Sequence, residues 1–258
     1  MTDRDRARFP FLEHDGVLAF AHRGGALEGR ENSMAAFTDA VDLGYRYLET
    51  DTYATRDGRL IAFHDDELDR VTNARGKVEA MAWSELQSAR IGGTEPIPLL
   101  EDLLGAWPDV RINIDPKHDS AIEPLIALIK RMGVRDRVCI GSFSDRRIAR
   151  MRAAFDGRLC TSMGPRSVLR LKAAARGLPS WPFHAGCAQV PTKAYGITVV
   201  SRAFVDEAVR RGLQVHVWII DDAAEMHRLL DLGVHGLMTD RPRVLKDVLV
   251  SRGAWVGR

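Results

Sequence analysis

The sequence predicts an α/β fold, a (β/α)8 TIM barrel with a small insertion after the second barrel strand. Three observations carry this reading. The chain is 258 residues long, close to the ~250 residues that a closed α/β barrel needs in one piece. Short β-rich runs alternate with helical patterns, which means parallel strands joined by helical crossovers. One β-rich run follows its predecessor through Arg56-Asp57-Gly58, a hairpin signal that an all-parallel barrel cannot absorb. Residues 1–258 are therefore read as a single domain with a small insertion at about 56–95.

Strands are expected at residues 17–21, 47–53, 59–63, 110–115, 138–142, 158–162, 186–190, 214–220 and 236–239. The third of these is the hairpin strand and lies outside the barrel. Helices are marked by their ends. Ser33, Ser120, Ser144, Ser201 and Asp222 supply oxygens for free N–H groups at helix starts, and Pro242 opens the last helix. Gly44, Gly133, Gly157, Gly212, Gly233 and Gly253 stand where each of these helices stops. Between the markers the apolar spacing is helical, as in Ile122, Leu125, Ile126 and Ile129. Segments 99–107 and 167–176 complete eight helices.

Composition narrows the function classes. Apolar residues make up 45% and charged residues 28% of the chain, the balance of an ordinary globular protein. Lys and Arg number 37 against 35 Asp and Glu, a net charge of +2, too even to point to nucleic acid or an anionic membrane. No apolar run approaches the ~18 residues of a membrane span. The start of the chain lacks the apolar core of a signal peptide, so a cytoplasmic protein is expected. Cys139, Cys160 and Cys187 each sit in or beside an apolar run. They read as small buried hydrophobes rather than as a disulfide framework, a zinc clip or a reactive thiol.

Active sites of parallel barrels form at the carboxyl ends of the strands. There the sequence places His22-Arg23, followed by Glu31-Asn32, then Glu49-Thr50-Asp51, His64-Asp65, Asp115-Pro116-Lys117, Ser142-Phe143, Trp218 and Thr239-Asp240. Glu49 and Asp51, two apart on one strand, face the same way. Inward carboxylates raise each other's pKa unless a cation lies between them. With Asp115 they form a hard-oxygen set suited to Mg²⁺ or Ca²⁺ rather than zinc. Taken alone, Glu-x-Asp has a plainer reading in which either carboxylate pairs with Arg23 or Lys117. His22 and His64 can exchange protons near neutral pH and so serve as general base and general acid. A single histidine is more often a hydrogen-bonded core residue, and here it is the company that matters. Arg23 and Lys117 suit an anion, Arg as a fork and Lys as a point charge. Together these groups fit hydrolysis of a phosphate ester.

The set resembles the glycerophosphodiester phosphodiesterase family. That family's motifs appear in order as His22-Arg23-Gly24, Arg30-Glu31-Asn32-Ser33, Glu49-Thr50-Asp51, His64-Asp65, Asp115-Pro116-Lys117, Ser142-Phe143, Trp218-Ile219-Ile220-Asp221 and Gly236-Leu237-Met238-Thr239-Asp240-Arg241-Pro242. The resemblance implies one divalent metal ion, Mg²⁺ or Ca²⁺ with Mn²⁺ as a further candidate, held by Glu49, Asp51 and Asp115. It implies His22 and His64 as the acid/base pair and Arg23 and Lys117 on the phosphate, with Trp218 at the substrate and Glu31 and Asn32 in support. The implied reaction releases sn-glycerol 3-phosphate and an alcohol from a small phosphodiester.

The chain departs from the family pattern in three places. Arg30 and Ser33 replace the usual Pro and Thr, Asp115 stands where Glu is commoner, and Trp218-Ile219-Ile220-Asp221 lacks the usual Thr and Asn. Two other activities compete with this reading. One is a lysophospholipase D acting on single-chain lipids, for which residues 178–183 would line an apolar groove. The other is a non-catalytic phosphate-binding barrel, which should have lost a histidine or a carboxylate; this chain has lost neither.

Overall fold

The computed structural model describes residues 8–27 and 30–257. In chain order the strands and helices are β1 (Leu18–His22), α1 (Met34–Asp42), β2 (Tyr47–Ala54), β3 (Leu60–Ala62), α2 (Trp83–Leu86), β4 (Arg90–Ile91), β5 (Glu95–Pro96), α3 (Leu100–Ala106), β6 (Arg111–Pro116) and α4 (Ile122–Met132). There follow β7 (Val138–Ile140), α5 (Asp145–Ala153), β8 (Cys160–Thr161), α6 (Pro165–Ala174), β9 (Cys187–Val190), β10 (Lys193–Ala194), β11 (Ile197–Thr198), α7 (Arg202–Arg210), β12 (Gln214–Val217), α8 (Ala223–Asp231), β13 (Gly236–Thr239) and α9 (Pro242–Ser251).

Eight parallel strands run in the order β8-β7-β6-β2-β1-β13-β12-β9. A parallel bridge between Ser162 and Cys187 joins the two ends. Hydrogen bonds from Gly186 N to Thr161 O and from Met163 N to Cys187 O, both 2.9 Å, complete the ring. The fold is therefore the expected (β/α)8 barrel. β3 pairs antiparallel with β2, as the Asp57-Gly58 turn predicts. The segment between β2 and α3 builds its own small core from residues such as Ile61, Phe63, Leu68, Val78 and Leu86.

The two-residue period of the strands sorts their side chains between two cores. Leu48, Ile112, Ile114, Val138 and Ile140 face outward into the layer beneath the helices. Phe20, Tyr47, Cys139, Cys160, Cys187 and Met238 face inward. The three thiols are free and buried, as their apolar surroundings predict. His216, also inward, is a hydrogen-bonded core histidine between Gln214 (3.0 Å) and Gln189 (3.5 Å). The amino-terminal end of the barrel is stoppered from below. Phe9, Phe11 and Leu12 join the inner cluster, and the Phe11 ring lies 5.4 Å edge-on from Tyr47 and 6.4 Å from Phe20.

Differences from the sequence reading are local. Strands β7, β8 and β12 stop short of residues 142, 162 and 220, because the chain turns away at the barrel mouth. Helix α6 begins at Pro165, which supplies a helical φ and needs no N–H partner, rather than at residue 167. Ser120 is not a helix cap; it lies in a 3-10 turn ahead of α4 and donates to Glu79. The β10–β11 hairpin carries no signal that the alternation of apolar runs reveals. Among the described residues, no helix is long and apolar enough to cross a membrane.

The stopper makes a measurable claim. Phe11→Ala should lower stability by about 3–5 kcal/mol, the usual loss for a fully buried aromatic ring. A denaturant titration reads it; a change within about 0.5 kcal/mol, typical of an exposed site, would contradict the packing described.

Candidate active site

The carboxyl ends of β1, β2 and β6 bring most of the expected residues together. The register pairs His22 with Glu49 and Asp51 with Asp115 across neighbouring strands. Glu49 and Asp51 share the inward face and are almost completely buried, at 5% and 1% exposure. Asp51 is the most heavily partnered group. Lys117 Nζ lies 2.7 Å from its Oδ1, Arg23 Nε lies 3.0 Å from its Oδ2, and Asn32 Nδ2 donates to the same oxygen at 3.4 Å. Lys117 also donates to Asp115 Oδ2 at 2.8 Å.

These contacts set the charges. Burial pushes Asp51 toward its neutral form, but Lys117 and Arg23 overcome it and hold the carboxyl below the usual range. Burial also acts against charge on Lys117, yet Asp51 and Asp115 hold its ammonium well above the ordinary lysine value. Glu49 has no such cation. Burial, reinforced by Asp51, lifts it to about 7 against the pull of His22, Lys117 and Arg23. Burial likewise raises Asp115, with Lys117 opposing.

The β1–α1 turn is shaped around this centre. Arg23 and Asn32 both adopt left-handed backbone, with φ of 52° and 57°, uncommon for Arg and tolerated by Asn. Arg23 N donates to the Glu49 carboxylate (3.2 Å) and to its carbonyl (3.0 Å). Asn32 Oδ1 accepts from Thr50 Oγ1 at 2.8 Å. Ser33 caps α1 by accepting from Ala36 N, so its exchange for Thr leaves the cap intact. Gly24 and Gly25 are required by packing: a Cβ on Gly24 would fall 2.8 Å from Ala36 Cβ, and one on Gly25 2.6 Å from Pro242 Cγ.

Each histidine has a carboxylate on Nδ1. His22 Nδ1 lies 2.6 Å from Asp240 Oδ1, and its Nε2 faces Glu49 at 3.6 Å. Burial lowers its pKa, but Glu49 and Asp240 outweigh it and leave the net shift upward. His64 Nδ1 lies 2.5 Å from Asp65 Oδ1. Asp65 accepts from Arg70 Nε at 2.5 Å, and Arg70 continues to Glu31 through contacts of 2.6 and 3.0 Å. Glu31 in turn accepts from Arg23 at 3.2 Å. His64, on the insertion, is thus tied to the β1–α1 turn by a chain of charged hydrogen bonds. Trp218 follows β12 and meets the exposed Phe143 ring edge-on at 5.7 Å.

Sequence reasoning placed Asp240 at a strand end, in the Thr-Asp pair that closes β13, but gave it no role, and it did not single out Arg70 or Asp221 as site residues. Arg70 lies in the turn-rich insertion, where nothing local marks it. Asp221 Oδ1 accepts from Thr239 Oγ1 (2.9 Å) and Asp240 N (2.8 Å), so it braces the residue that holds His22. Residues 178–183 lie between α6 and β9, at the amino-terminal end of the strands. They therefore line no groove beside the carboxylates.

Among the described residues, no group of three or more His, Cys, Asp or Glu side chains is already arranged to hold a metal ion. The Lys117 ammonium stands between Asp51 and Asp115 instead, as the plainer reading of Glu-x-Asp anticipated. The donor chemistry nonetheless fits a hard cation. Three carboxylates converge from two adjacent strands, and Glu49 is raised because buried negative charge exceeds nearby positive charge.

The barrel mouth gathers imidazoles, carboxylates and fixed cations in one place, the kind of cluster by which a candidate active site is recognised. The chain belongs to the glycerophosphoryl diester phosphodiesterase family, phosphoric diester hydrolases, whose model matches residues 22–244. It is 41% identical over 263 residues to the probable glycerophosphodiester phosphodiesterase 2 of Mycobacterium tuberculosis, covering all of both chains. The fold is shared with a putative glycerophosphoryl diester phosphodiesterase from Silicibacter pomeroyi, with a TM-score of 0.79, 20% identity and coverage of 96% of this chain and 100% of that one. It is shared also with an Oleispira antarctica phosphodiesterase solved in complex with the product sn-glycerol-3-phosphate, with a TM-score of 0.77, 18% identity and coverage of 91% and 97%.

The Glu49 shift carries a prediction. A carboxyl raised from 4.5 to about 7 on folding takes up a proton in that window, so the metal-free protein loses stability as pH rises through it. His22, also raised, acts in the same sense. Glu49→Gln should therefore raise Tm of chelator-treated protein at about pH 8 and do so less at about pH 5. Thermal melts at the two pH values check it; a larger gain at the lower pH would contradict it.

Proposed function

We propose that this chain is a metal-dependent glycerophosphodiester phosphodiesterase that releases sn-glycerol 3-phosphate and an alcohol by acid–base catalysis with His22 and His64. The observation that supports this most directly is the carboxylate on each Nδ1, Asp240 for His22 and Asp65 for His64. Such a partner fixes the tautomer and the ring orientation and leaves Nε2 to move protons.

In this reading one histidine removes the proton of the glycerol hydroxyl next to the phosphate. That oxygen attacks phosphorus, and the other histidine protonates the departing alcohol oxygen. Water then opens the cyclic phosphate with the two roles reversed, so each histidine ends as it began. Arg23 and Lys117 hold the phosphate oxygens by charge-assisted hydrogen bonds. Glu49, Asp51 and Asp115 would hold Mg²⁺ or Ca²⁺, with Mn²⁺ a further candidate, and a bound cation supplies charge neutralisation at the phosphate. Asp115 has one methylene less than Glu and brings less reach to that set. Trp218 forms an apolar wall with Phe143 where the alcohol leaves, and Glu31 and Asn32 steady Arg23 and Asp51.

Purified protein with divalent metal should release glycerol 3-phosphate from glycerophosphocholine or glycerophosphoethanolamine, and chelator should stop it. His22→Ala and His64→Ala should each lower kcat about 10²–10⁴-fold, the usual contribution of a general acid or base. Full turnover in either variant would refute its role. A lysolipid in the same assay series separates the lysophospholipase D activity from this one.

Asp240→Asn should keep the fold and lower kcat about 10²-fold or more, because the amide supports the wrong tautomer of His22. Steady-state kinetics with an unchanged thermal melt check this; an unaltered kcat would remove Asp240 from the mechanism.

A further inference from the structure

The overall charge of +2 conceals an uneven distribution. Residues 157–205 contain seven Lys and Arg and no Asp or Glu. This arc includes α6, the loop to β9, the β10–β11 hairpin and the start of α7. Half of the large hydrophobic residues that stand exposed on the described surface also fall on it: Leu169, Leu178, Trp181, Tyr195 and Ile197.

The arc is built around α6. Arg166 and Leu169 are exposed three apart on one side of the helix, and Arg176 is exposed in the turn that follows it. Arg170 holds the 178–183 loop against the helix, donating to Trp181 O at 3.1 Å and lying 5.6 Å from the Trp181 ring centre and 4.9 Å from that of Phe183. Lys172 donates to Thr198 O and so ties the hairpin to the same helix. These anchored cations leave Trp181 76% exposed and Tyr195 fully exposed. Neither Arg166 nor Arg176 has an ion pair among the described residues. Burial, with Arg176 nearby, lowers the Lys172 pKa, the response of an ammonium beside a like charge with no carboxylate to relieve it.

We propose that this face, centred on α6 with Trp181 and Tyr195 at its two ends, docks on the surface of an anionic lipid bilayer. Aromatic rings with polar edges and short aliphatic side chains enter the headgroup zone, while Lys and Arg meet anionic headgroups. Charge decides among occupants. A second copy would bring Arg166 and Arg176, neither of which has an ion pair among the described residues, against themselves, and like charges across an isologous contact are unfavourable. A nucleic acid would satisfy the cations but leave Leu169, Leu178 and Ile197 without an apolar environment. The surface lies beside the barrel and contains none of the residues assigned to catalysis, so it stands independently of the proposed reaction.

Co-sedimentation with vesicles of phosphatidylcholine, with and without phosphatidylglycerol, tests the proposal. The wild-type chain should bind only the anionic vesicles, and added salt should release it. Arg166→Gln with Arg176→Gln should weaken binding about tenfold, since each charge near such a surface contributes a few-fold. Trp181→Ala with Tyr195→Ser should also weaken it, and both double variants should keep wild-type thermal melts and wild-type turnover of a soluble glycerophosphodiester. Equal binding to neutral vesicles, or undiminished binding by both variants, would overturn the proposal. So would a concentration-dependent dimer, or binding to a DNA duplex in place of vesicles, that the same substitutions abolish.

Discussion

A carboxylate kept ionised inside a protein imposes conditions on everything near it, and Asp51 is that group here. It is almost fully enclosed and still held in its charged form. The cost of burying it is met by three groups from three segments: the Lys117 ammonium from the end of β6, the Arg23 guanidinium charge from the β1–α1 turn and the Asn32 amide from the approach to α1. Removing one partner from such a group leaves a buried charge under-compensated. The left-handed backbone at Arg23 and Asn32, the turn glycines seated against α1 and α9, and the Ser33 cap all serve to bring those groups to it.

Glu49, two residues earlier on the same strand, shows the opposite outcome. It shares the face and the burial of Asp51 but has His22 where Asp51 has Lys117, and its carboxyl rises to about 7. Two neighbours of one chemical type thus differ in charge because of what the adjacent strands bring. The site has cations enough for one carboxylate and too few for the whole set. That shortage is the physical ground on which a divalent ion fits.

Much of this was legible in the sequence. The alternation of strand and helix patterns, the Asp57-Gly58 turn and the i, i+2 spacing of Glu49 and Asp51 depend on local chemistry, and they predict the barrel, the hairpin and the shared inward face. Helix caps at Ser33, Ser144 and Ser201 are local too, and each hydroxyl accepts from the expected N–H. What stayed hidden depends on contacts between distant segments. Arg70 is one more arginine in a turn-rich stretch until folding sets it between Asp65 and Glu31. Asp221 reads as a lost Asn and is instead the brace of Asp240. The basic arc was masked because net charge averages over a surface that the fold divides.

The position of β1 in the ring has a consequence for how the molecule comes into being. β1 lies between β2 and β13, so the first strand of the chain gains one of its two neighbours only from the last. His22 and Asp240 are 218 residues apart and meet across that seam. On a ribosome, β1 must wait with one edge bare while nearly every later element is made, a topology rich in distant contacts and slow to close. The histidine–carboxylate pair is a latch that shuts only when the ring does, and it is among the last contacts the barrel can make.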